Sequence, residues 1–157
     1  MSVAQGDEKK AGALAWGMAM RFAVTVDGVD LGRWRSCKGL GLDFEVETVV
    51  DGGHYDYQVI LPTTVKYTPI KLERAMERHD SRRVQDWLRS MVRKWVNGDA
   101  SYDGATAVIT LFNASNVDVA SWTLAHVFPK SWKGPDLDAK AADFAIETLE
   151  FVHQGFL

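Results

Sequence analysis

Phe22-Ala23-Val24-Thr25-Val26-Asp27-Gly28 decides the class of fold. Phe22, Val24 and Val26 alternate with Ala23, Thr25 and Asp27, the period of a strand with one buried face. Asp27-Gly28 then supplies turn chemistry, because both residues tolerate positive φ. A second strand is expected from about Trp34, clearest where Phe44 and Val46 alternate with Asp43, Glu45 and Glu47. Asp51-Gly52-Gly53 breaks it. Tyr55 to Leu61 resumes strand composition until Pro62, and Val65 to Leu72 follows, with Pro69 marking an edge or an irregularity. Ala107 to Phe112, Val117 to Val127, Ser131 to Leu137 and Phe144 to Phe151 are further strand-like stretches. In the last, Phe144 and Ile146 share one face while Leu149 and Phe151 lie on the other. Either a bulge near Thr148 flips the register or both faces are buried.

One helix is expected, over about Arg82 to Val96. Val84, Trp87, Leu88, Met91, Val92 and Trp95 recur at helical spacing as a single apolar stripe, expected to pack on a sheet. Asp80 or Ser81 can cap its start and Asn97-Gly98 can end it. Arg89, Arg93 and Lys94 lie toward its carbonyl end, where the macrodipole favours cations. The fold class is therefore mainly β with one flanking α-helix.

At 157 residues the chain fits one domain, and 46% hydrophobic with 25% charged residues suffices for a core without a metal or disulfide staple. The net charge of −3 gives no global attraction to a phosphate backbone. Cys37 is the single cysteine, so no intrachain disulfide forms, and it reads as a small core hydrophobe. Residues 1–18, rich in Ala and Gly and without periodicity, read as an N-terminal arm, flexible or ordered on a partner, before a β domain over 19–157. Ala11 to Met20 follows Lys9-Lys10 in the manner of a secretion signal. Asp7 and Glu8 in the would-be basic region, and the lack of a small-residue cleavage site before Arg21, argue against one. No run approaches the ~20 apolar residues of a helical membrane span. A protein made in the cytoplasm and kept soluble, with no membrane anchor, is expected.

Chemistry-bearing patterns do not emerge. His54, His79, His126 and His153 lack zinc-holding spacing and read as structural or surface residues. Gly39-Leu40-Gly41 has Phe44 where a G-x-G-x-x-G loop needs its third glycine, and no helix follows. Asp43, Glu45 and Glu47 on one strand face, with Glu147 and Glu150 near the end, read as solvated acids rather than an acid–base pair. No catalytic, cofactor-binding or metal-binding residue is identified, and an enzyme is not expected.

The order of short motifs carries the reading further. Phe22 to Gly28 is followed by Cys37-Lys38-Gly39-Leu40-Gly41, the acids Glu45 and Glu47, Asp51-Gly52-Gly53-His54-Tyr55 and Leu61-Pro62. Lys66-Tyr67, Ile70-Lys71-Leu72-Glu73-Arg74, Trp87 and Val108 to Phe112 come next. Ser121-Trp122, Pro129, Trp132, Gly134-Pro135, Ile146 to Glu150 and His153-Gln154-Gly155 close the series. From about Met20 to Leu157 this resembles the tail-tube proteins of contractile phages and phage-like injection systems, relatives of the type VI secretion tube protein.

The resemblance implies a β-sandwich or small barrel with a flanking helix. It further implies hexameric rings that stack as the inner tube of a phage-tail-like particle and are expelled on sheath contraction. Implied partners are further copies of the chain, the sheath subunit, baseplate or hub and tube-terminating proteins, and protein cargo in the lumen, or DNA in a virion. The loop Asp51, Gly52, Gly53, His54, Tyr55, Asp56 and Tyr57 matches the family's long hairpin that contacts the next ring. Without the resemblance it reads as an exposed mobile hairpin, whose tip alanines in place of Gly52 and Gly53 are expected to disturb at any position that needs positive φ. Two departures stand out: the arm is long, and Pro62-Thr63-Thr64 lacks the glycine often found after that proline. Both leave room for a subunit joining tube to baseplate, or for an adaptor of the same fold that does not polymerise.

Overall fold

The structure, a computed structural model, describes residues 20–50, 52–53, 56–98, 103–136 and 145–157; the expected arm lies outside them. The elements are β1 Arg21–Val26, β2 Val29–Trp34, β3 Ser36–Lys38, β4 Leu42–Val49, β5 Val59–Tyr67 and β6 Ile70–Ala75. α1 Arg78–Val96, β7 Ala105–Phe112, β8 Asp118–Lys133 and β9 Ile146–Val152 follow. Among the described residues the fold is mainly β with one helix, as expected.

Seven strands pair in the order β2-β1-β7-β8-β9-β6-β3, while β4 and β5 form a separate two-stranded ribbon. β8 serves two neighbours. Its first part pairs with β7, from Phe112 opposite Asp118 to Ala105 opposite Val127, and its second with β9, from Phe128 opposite Val152 to Lys133 opposite Thr148. Where it passes from one to the other, His126 takes φ 51°, and its Nδ1 lies 2.6 Å from the Asp103 carbonyl oxygen. The outer strands β2 and β3 are separated in sequence only by Arg35, so the sheet curls back on itself. Val24, Val26, Leu31, Trp34, Ile109, Leu124, Leu149 and Phe151 fill the interior with Val84, Trp87 and Met91 of α1.

Several sequence expectations are corrected. The Asp27-Gly28 turn holds, with φ 48° and 79°, but it leads into β2, and Trp34 ends that strand instead of opening the next. β5 runs straight through Pro62. This proline pairs with Val46 at the register shift beside Glu45, and a bulge on a two-stranded ribbon tolerates a residue without an N–H. Val117–Val127 and Ser131–Leu137 are largely one strand, β8. β9 contains no bulge, since its register with β6 is unbroken from Ile70 opposite Phe151 to Ala75 opposite Ile146. Its inward face carries Glu147, Leu149 and Phe151, and Ile146 points to solvent.

The helix starts at Arg78. Its cap is Glu77, not Asp80 or Ser81: the Glu77 carboxylate accepts from the N–H groups of His79 at 3.1 Å and Asp80 at 2.9 Å. Those bonds, the one from Asp80 first, hold its pKa below the usual carboxylate value. The stripe divides. Val84, Trp87 and Met91 are buried and Leu88 is half-buried, whereas Val92 is exposed and Trp95 is 72% exposed. The reason is geometric: the end of α1 stands off from Phe128 and Pro129 of β8. An open apolar groove of about 470 Å³ remains, lined also by Met91, Val92 and Trp95.

Candidate assembly surfaces

The β4–β5 ribbon keeps both faces in water, and its register sorts them by chemistry. Phe44 opposes Val65, Val46 opposes Pro62 and Thr48 opposes Ile60, giving one face that is almost wholly apolar. Phe44 is 66% and Ile60 62% exposed. On the other face Asp43 opposes Lys66, Glu45 opposes Thr64 and Glu47 opposes Leu61. These are the acids expected to be solvated, and they are. Glu45 forms an ion pair with Lys66 that holds the ammonium pKa above its usual value. A lone two-stranded ribbon is marginal in water, and an exposed apolar face of this kind marks an interaction site.

Of the seven loop residues expected to form the stacking contact, Asp51, His54 and Tyr55 lie outside the described residues. Gly52 and Gly53 form the turn, and Asp56 and Tyr57 are exposed. Neither glycine has φ in the left-handed region, and a Cβ added to either would meet nothing within 4 Å. Neither position therefore needs a glycine for positive φ.

Glu147 is the residue that sequence reasoning misplaced. Rather than a solvated acid it is fully buried, with Arg74 Nη2 3.4 Å from its Oε1. The Ser81 hydroxyl donates to Oε2, and Trp132 Nε1 donates to Oε1 at 3.5 Å. Arg74 in turn donates from Nη1 to the Leu31 carbonyl at 2.6 Å, and its guanidinium sits 3.9 Å from the centroid of the Trp34 ring. The cluster joins α1 to β2, β6, β8 and β9. With both carboxylate oxygens engaged and no water access, its chemistry is cohesion. The signal was present in the sequence, because Glu147 shares the alternation of Leu149 and Phe151.

The other reactive types are quiet. Burial pushes the half-buried Cys37 thiol up to about 11, so thiolate is scarce. His153 packs against Tyr67, with ring centroids 5.3 Å apart, and against Phe156. Its burial lowers the imidazole pKa, opposed by main-chain groups of Thr68 and Gly155. Among the described residues no group of three His, Cys, Asp or Glu is placed to hold a metal ion. Among them, too, no helix is long and apolar enough to cross a membrane.

No curated protein matches the chain. Among solved structures, a chain of the anti-feeding prophage (AFP) baseplate, a cryo-EM structure with 6-fold symmetry imposed, is similar at 26% identity and a TM-score of 0.65, over 87% of this chain and 89% of that one. A chain of the sheath–tube complex of an extracellular contractile injection system, PVC, in the extended state shares the fold at 20% identity and a TM-score of 0.63, over 86% and 85%. A chain of the AFP tube-terminating cap does so at 20% identity and 0.59, over 83% and 82%. The model of the family described as T4-like virus tail tube protein gp19 matches residues 18–157, which takes in every strand, the helix and the ribbon. The chain belongs to that family, the T4-like tail tube proteins.

Proposed function

We propose that this chain self-assembles into hexameric rings that stack as the inner tube of a contractile injection system, the conduit expelled when the sheath contracts. The observation that carries this reading is the β4–β5 ribbon, which holds an apolar face in water, the kind of patch that marks a protein interaction site. The role is structural, without catalysis. Its partners are further copies of itself, the sheath subunit, baseplate or hub proteins and a tube terminator. Protein cargo occupies the lumen, or DNA if the particle is a phage. The subunit is made in the cytoplasm and built into a phage-tail-like particle. The loop from Asp51 to Tyr57, at the ribbon's end, contacts the next ring.

A second reading, a subunit at the baseplate end of the tube, is favoured by the 26% identity with a chain of the AFP baseplate. Negative-stain microscopy and mass photometry of the purified chain test both. Rings and long tubes support the main subunit; rings that stop at one or a few layers support the baseplate position. A protein that is monomeric at every concentration would overturn self-assembly.

A further inference from the structure

We propose that the acidic face of the β4–β5 ribbon docks on a basic surface at the β2–β3 edge of a neighbouring copy of this chain. The inference rests on the self-assembly reading and names the two surfaces that meet.

The receiving surface lies where the sheet, among the described residues, has its two outer strands, β2 and β3. Two grooves adjoin there and share Arg35 and Arg74: one of about 520 Å³ reached by Arg21 and Arg33, and one of about 750 Å³ reached by Ser36 and Lys38. Arg33 is occupied, donating to Asn116 Oδ1 at 2.8 Å and lying over the Phe112 ring. The side chains of Arg21, Arg35 and Lys38 are exposed and make no ion pair with any described residue. The acid in this region, Glu73, already has Lys71 at 3.6 Å.

The ribbon supplies acceptors. Asp43, Glu45 and Glu47 share one face with a single cation, Lys66, which leaves an excess of negative charge. No ion pair among the described residues joins this face to Arg21, Arg35 or Lys38 of the same chain. Among the described residues each copy thus carries a face with a net excess of acids and a basic edge without ion-pair partners, the condition for a head-to-tail contact that closes into a ring or continues as a stack. Opposite potentials of this kind set register and exclude wrong pairings.

Charge reversal tests it on the full chain. One variant carries Arg35→Glu with Lys38→Glu, a second carries Asp43→Lys with Glu47→Lys and keeps the Glu45–Lys66 pair, and a third carries all four changes. All four residues are exposed, so circular dichroism and melting should match the unaltered protein. At low salt each single-surface reversal should cut the yield of rings or tubes about tenfold or more, and the combined variant should recover most of it. Should a reversal disturb folding, the neutral pair Arg35→Gln with Lys38→Gln must still assemble less and lose its salt sensitivity. Reversals that assemble like the unaltered chain, or a combined variant that recovers nothing, would overturn the docking while leaving the tube reading in place. An unaltered chain that never assembles would remove both.

Discussion

Arg74 and Glu147 meet inside the protein, Nη2 to Oε1 at 3.4 Å, with side chains only 5% and 0% exposed. A pair so far from water tolerates the loss of both members better than the loss of one. Glu147→Leu, which strands the guanidinium, should lower stability by about 3–5 kcal/mol. Adding Arg74→Met should return part of that loss. Urea midpoints of the single and double variants check this. A Glu147→Leu shift no larger than that of exposed Arg82→Gln would show that the cluster contributes little.

The two tryptophans of α1 should behave differently. Trp87 is 5% exposed and packs in the core, so Trp87→Ala should cost about 3–5 kcal/mol. Trp95 faces water beside the open groove, so Trp95→Ala should change the stability of the isolated chain by no more than about 0.5 kcal/mol. Equal losses in denaturation would mean that the helix end is packed in solution.

Gly39 should be irreplaceable where Gly52 and Gly53 are not. Its φ is 98°, and an added Cβ would lie 2.0 Å from the Pro69 carbonyl oxygen. Gly39→Ala must therefore move the backbone that joins β3 to the ribbon, and should cost more than about 1 kcal/mol. Gly52→Ala with Gly53→Ala should leave the melting temperature within a degree or so of its starting value. Matched melting curves for the two variants would contradict the geometry at Gly39.

His153 gives a pH dependence with a definite sign. Its folded-state pKa is lowered, chiefly by burial, so the unfolded chain takes up the proton first as the pH falls. The full contribution is present above the ordinary imidazole value of about 6.5. It is lost as the pH falls from there through the lower folded-state value. Carboxylates with lowered pKa values, Glu77 and Glu150, act only in a more acidic range. Unfolding midpoints between pH 8 and 5 should decline, and His153→Gln should flatten the curve. An unchanged slope in that variant would assign the decline to other groups.

Where one physical signal dominated, the sequence was a sufficient guide. Phe22 to Gly28 showed period-two burial and a turn, and both are present. The helix existed where its stripe lay, but its start was misread. Glu77 acts across two and three residues to cap it, and a cap is a matter of backbone geometry. The stripe could not say where the helix outruns its support, so Val92 and Trp95 were counted as core. Glu147 was misread because residue type was allowed to outweigh alternation. The ribbon's apolar face followed from Phe44 and Val46, but its isolation from the main sheet is tertiary information that no local pattern contains.

β8 gives the domain a mechanical property. One strand of 16 residues closes the ladder of β7 at one end and that of β9 at the other. A force that pulls those two neighbours apart enters β8 through each ladder and is carried between the two ladders along its peptide bonds. His126, in the middle of that path, is clamped through its ring nitrogen to the chain before β7, so the bend cannot straighten freely under tension. Among the described residues the ribbon has no such tie and would peel first under load, leaving the body of the domain its shape.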